Sequence, residues 1–143
     1  MTLALHPIKE AVAARLSVPN VKVYVTEVPD DAVIGLNPNG TIKPYIVVNF
    51  TSPYRAARGR GIVSSRHDVN VAGCVVRCVA PTASASSQLS DKVMNLLTGW
   101  FAPDTGEFTL EGGGSSDNAN GTVRPTKFFT DLAFGFRTNL TFS

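Results

Sequence analysis

Within twelve residues the chain carries Arg55, Arg58, Arg60 and Arg66, with no acidic side chain before Asp68. A guanidinium makes two parallel hydrogen bonds to one carboxylate or phosphate, so such a cluster suits an acidic protein surface or a passing nucleic-acid backbone. It fits equally well a solvated loop without a fixed partner, because Gly59, Gly61, Ser64 and Ser65 interleave the arginines. Tyr54 alone falls short of the interleaved aromatics on which single strands stack.

Other residues able to do chemistry are few. Ser64, Ser65, His67 and Asp68 hold the residue types of a hydrolytic triad, but near neighbours in one loop are too close in sequence to converge. His6 and His67 have no metal-ligand spacing, and Cys74 and Cys78 form no Cys-x-x-Cys knuckle. Gly59-Arg60-Gly61 and Gly112-Gly113-Gly114 lack the lysine and the strand–loop–helix setting of a phosphate loop. The expectation is a non-enzymatic protein with no catalytic residue, no cofactor and no metal. On one extended strand the two cysteines would share a face with Cα atoms about 13 Å apart, beyond disulfide reach. They are expected to be small, buried, free thiols.

Composition sets the frame for these residues. The chain has 143 residues, 43% hydrophobic and 17% charged, enough for one domain with an ordinary core and a thinly charged surface. Thirteen basic against eleven acidic residues leave a net charge of +2, too small to argue for nucleic acid or membrane. No run of apolar residues is long enough to span a bilayer, and the first residues have no basic start or unbroken apolar run, so neither a membrane span nor a signal peptide is expected. The Asn-x-Ser/Thr triplets at Asn39, Asn49, Asn120 and Asn139 are then chance matches in a Thr- and Asn-rich chain.

The elements that must position the arginines follow from hydrophobic periodicity. Leu5, Ile8, Val12 and Leu16 mark a helix beginning near His6, with Pro7 in its first turn and Val18-Pro19-Asn20 at its stop. Val21–Val28 alternates as a first strand, and 44–50 is a second, apolar on both faces and so central. The segment 51–66 is an exposed loop. Val69–Ala80 is a third strand whose inner face is Ala72, Cys74, Val76, Cys78 and Ala80. Leu89, Val93, Leu96, Leu97, Trp100 and Phe101 then predict a helix capped by Ser87 and closed by Pro103. Phe108-Thr109-Leu110 is a possible short strand, and 111–125, with its Gly-Gly-Gly-Ser-Ser run, is expected to be a flexible loop. The fold class is α+β: one domain over 1–143, with a mostly antiparallel sheet of four to five strands covered by two helices.

The last strand is the longest. Phe128, Thr130, Leu132, Phe134, Phe136, Thr138, Leu140 and Phe142 alternate with Phe129, Asp131, Ala133, Gly135, Arg137, Asn139 and Thr141. At about 3.3 Å per residue this run would extend roughly 50 Å. A domain of this size has a radius of gyration of only about 14 Å. The strand therefore bends, at Gly135, or overhangs its own domain and pairs with something else.

In residue order and flavour the chain resembles the tail terminator proteins of long-tailed phages, the minor tail protein U-like family, in its actinobacteriophage branch. The likeness is carried by the His6–Leu16 helix, the Val-rich strand ending in VPDDA, and the turn before PYIVVNF. It continues through HDVNVAGCVVRCVA leading into SSQLSDKVMNLLTGWF, and ends with the phenylalanine-rich terminal strand. The resemblance implies a virion structural protein, located in the tail or neck and assembled in the host cytoplasm. It would form a homo-oligomeric ring of six copies that caps the tail tube and stops its polymerisation. Its partners would be itself, the major tail tube protein and a head-closure or connector protein. DNA would pass through the lumen without sequence-specific binding, and no membrane is involved. The alternatives are another neck component, such as a head-closure or tail-completion protein, and a small soluble binding domain. The candidate interface residues come from charge and strand overhang: Arg55, Arg58, Arg60, Arg66, Phe136, Thr138, Leu140 and Phe142.

Overall fold

A computed structural model describes residues 6–28, 34–51, 54–55, 70–103, 105–117 and 127–138. The first element is α1 (His6–Arg15). Ile8, Val12 and Leu16 recur every fourth residue and are buried, so this face of the helix docks on the sheet. Strand β1 (Lys22–Val25) follows. It is shorter than the alternation of 21–28 predicts, because the chain turns at Thr26. There the backbone φ is 72°, and the Glu27 N–H closes a three-residue turn onto the Val25 carbonyl at 2.8 Å. A β-branched residue in that region is strained.

Strand β2 (Tyr45–Phe50) pairs parallel with β1 and antiparallel with β4 (Asn70–Ala80). Tyr45, Ile46, Val47 and Val48 are all buried, as a central strand requires. The two-residue β3 (Tyr54–Arg55) pairs with the start of β4, beyond the point where β2 stops. Between them Thr51 holds the ladder: its N–H donates to the Gly73 carbonyl and its hydroxyl accepts from the Gly73 N–H, both at 2.9 Å. Helix α2 (Ala83–Leu97) crosses back, and β5 (Thr109–Asp117) and β6 (Phe128–Thr138) complete the sheet. The strand order is β1-β2-β4-β6-β5. Among the described residues only the β1–β2 pair is parallel. The result is an open, mostly antiparallel sheet in an α+β fold.

Both helices pack on one face. Ile8, Val12 and Leu16 of the α1 segment and Leu89, Val93 and Leu97 of α2 meet Ile46, Val48, Cys74, Val76, Cys78, Leu132 and Phe134 in one core. Alternate residues of β4 and β6 supply that face, as strand periodicity dictates. On the other face Ile34 and Ile42 form a smaller cluster with Tyr45, Val47 and Val79, against which Tyr24 and Phe129 pack.

Three local expectations change. Helix α2 starts earlier than Ser87, because the Thr82 hydroxyl caps it by accepting from the Ala85 N–H at 3.1 Å. That extra turn buries Ser86, whose hydroxyl donates to the Cys78 carbonyl at 2.9 Å and lies 2.8 Å from the Thr130 hydroxyl. The helix also stops earlier, at Leu97, where Thr98 caps it and Gly99 adopts φ 78°. Trp100 reaches the core from outside the helix, through backbone pairing with Phe108 and an edge contact to its ring.

The third change is larger. Gly112-Gly113-Gly114-Ser115-Ser116-Asp117 is not loop but strand, paired residue for residue with Ala133 down to Phe128. The hydrogen bonds come from β6, so the segment needs no side-chain contacts of its own. Glycine is moreover required there. A Cβ on Gly113 would lie 2.7 Å from the Asp131 carbonyl oxygen. Gly135 does not interrupt β6, whose pairing with β4 continues to Thr138. The irregularity sits on the neighbouring strand instead, as a bulge at Glu111 whose carboxylate fills the space over Gly135.

Candidate functional site

The candidate residues separate into three groups. Arg55 lies on β3 opposite Asn70, and Asn70 lies opposite Thr138. The start of the arginine segment and the end of the terminal strand therefore share one cross-strand row at one end of the sheet. Phe136 belongs to the core. It is 2% exposed and its ring stacks on Phe108, centroids 4.5 Å apart and planes 10° off parallel. Arg58, Arg60, Arg66, Leu140 and Phe142 lie outside the described residues, as do Ser64, Ser65, His67 and Asp68.

The remaining reactive groups are held away from chemistry. Cys74 and Cys78 are free and buried on the helix-facing side of β4. Burial pushes both thiols up to about 12, with the charge of Asp131 adding to the effect at Cys78. Neither is a thiolate near neutrality. His6 only pairs with Glu10 one turn on, at 2.9 Å and with both side chains exposed. Among the described residues no three His, Cys, Asp or Glu side chains converge on a metal position, and no helix is long and apolar enough to cross a membrane. On the open face Arg77 makes two hydrogen bonds to Asp131, at 2.8 and 3.0 Å, and lies 4.8 Å from the Phe129 ring centre. The Asp131 hydrogen bond raises the Arg77 pKa, and the pair rivets β4 to β6.

What distinguishes the surface is its two outer strands. Among the described residues, β1 and β5 each pair on one side only. Among the described residues four large hydrophobic side chains are exposed. Val28 (43% exposed) follows β1, and Leu36 (47%) sits in the turn leading to β2. Leu110 (37%) is on β5, and Phe101 (61%) is bridged to Glu107 just before it. Beside β1 an open cleft of about 660 Å³ is lined in part by Asn20, Lys22, Asn37 and Lys43. Beside β5 a second cleft of about 440 Å³ carries Glu107, Glu111 and Arg137. Sequence reasoning found the start of β5 at Thr109-Leu110 but missed its continuation to Asp117, because the glycines suppress the side-chain signal of a strand. It missed the exposure of Phe101 because a helix extended to Pro103 would have turned that residue inward.

No protein-family profile matches the chain, and no curated protein matches it in sequence. Among solved structures, the fold is similar to a chain of the "virion of native gene transfer agent (GTA) particle". The two are 17% identical, the likeness covers 90% of this chain and 84% of that chain, and the TM-score is 0.48. A likeness at that score and identity carries no argument about function.

Proposed function

We propose that the protein is a structural component of a phage-type virion, a tail terminator that forms a ring on the end of the tail tube. The observation that carries this reading is an open sheet with helices on one face and both outer strands unpaired among the described residues, each flanked by exposed apolar side chains. Such a chain has two different edges. Two different edges meeting head to tail generate a ring when the rotation closes. The residue resemblance to tail terminators supports the same reading, since it implies the observed succession of helix, strands, helix and strands.

The mechanism follows from how a tube grows. Each added layer offers the same surface to the next, so growth has no intrinsic end. A terminating ring must match the tube on one face and refuse further subunits on the other. Arg55 and Thr138 share a row with Asn70 at one end of the sheet, and on this reading one such face forms around them.

The test is electron microscopy of lysates from phage lacking this gene. The expected result is separate filled heads beside tubes of irregular, excessive length. Unattached tails of normal length would assign the protein to head closure or tail completion instead. Normal infectious particles would remove it from the virion altogether.

A further inference from the structure

The two outer strands, each paired on one side only among the described residues, are oriented to meet each other. β1 runs parallel to β2, β2 antiparallel to β4, β4 to β6, and β6 to β5, so β1 and β5 point in opposite directions at opposite sides of one sheet. Rotating one copy beside another, with the helix layer kept on the same side, brings β1 of one against β5 of the next as an antiparallel pair.

In that arrangement the first residue of β1 meets the last residues of β5. Lys22 stands in the row of Tyr45, Val79, Phe129 and Ser116, and Asp117 follows directly. Val25, the last residue of β1, stands in the row of Val48, Val76, Leu132 and Gly113, so the four residues of β1 span 113–116 of β5. Lys22 thus comes beside the end of β5 that carries Asp117, and Val23 and Val25 come beside a stretch of glycine and serine.

We infer that a second copy of this chain occupies the β5 edge with its own β1, so that the sheet continues from subunit to subunit around the ring. Resting on the ring reading above, it adds which strands meet, in which direction, and with which residues. Edge pairing of this kind draws its affinity from main-chain hydrogen bonds and its specificity from the flanking side chains. It also accounts for β5, a nine-residue edge whose charges are confined to Glu111 and Asp117. An edge so little protected is an aggregation hazard unless a partner covers it.

The experiment compares amide hydrogen exchange in the purified chain and in intact particles. On assembly, amides within 22–25 and within 113–116 should both slow strongly. In parallel, Lys22→Glu and Asp117→Lys should each lower incorporation into particles by about tenfold, since like charges across a strand pair repel, and the double variant should restore it. Thermal melting of each variant checks that the fold survives. Unchanged exchange at either edge, or a double variant no better than the singles, overturns the edge-to-edge pairing while leaving the terminator reading intact. Absence of the chain from purified particles overturns the reading on which the pairing rests.

Discussion

Cys74 and Cys78 occupy alternate core positions of β4, and their chemistry follows from burial alone. An exposed thiol ionises near about pH 8.5, whereas here burial holds both neutral up to about 12. Between those values the unfolded chain has released protons that the folded chain keeps. The stability gained by keeping these thiols neutral is therefore whole below the unfolded value and is lost as pH rises toward 12. Urea unfolding should show a midpoint that falls from pH 8 to pH 11, and falls less in a Cys74→Ala, Cys78→Ala variant. Thiol counting should find two reactive groups per chain after denaturation and almost none before.

Among the elements, β5 depends most on its neighbour. Its glycines have no side chains to pack, so pairing with β6 alone keeps it extended. The glycines are not equivalent. At Gly113 an added methyl would press on the fixed Asp131 carbonyl, whereas at Gly135 it would meet the Glu111 carboxylate, the far end of a flexible side chain that can swing out. Gly113→Ala should therefore cost about 1–3 kcal/mol, the scale of overpacking, and Gly135→Ala markedly less. Thermal or urea melting of the two variants measures the difference, and equal losses would show that Glu111 is not free to move.

For the whole molecule, Phe136 belongs to the core, and the proposed assembly segment begins only beyond it. Removing that residue deletes the stack on Phe108 and with it part of the core. Removing residues 139–143 leaves every described strand pair in place. The chain ending at Thr138 should fold with a melting temperature close to that of the full chain, yet fail to form rings on tubes. Normal assembly of this truncation would confine the interface to the sheet edges and the arginine segment.

Periodicity determined what one element can decide for itself. The buried faces of α1, β2, β4 and β6 follow from the spacing of Ile8, Val12 and Leu16, of the apolar 45–48 run, and of Ala72 to Ala80 and Leu132 to Phe136. A regular backbone alone sets which side chains share a face. Pairing could not be read that way. The parallel β1–β2 contact, the strand status of Gly112–Asp117 and the neighbourhood of Arg55 and Thr138 depend on residues distant in sequence. The same holds for the candidate surface: the arginines were visible as a cluster, but the two outer edges exist only once the strand order is set. A glycine run has no pattern of its own, and an edge is defined by which strand is missing beside it.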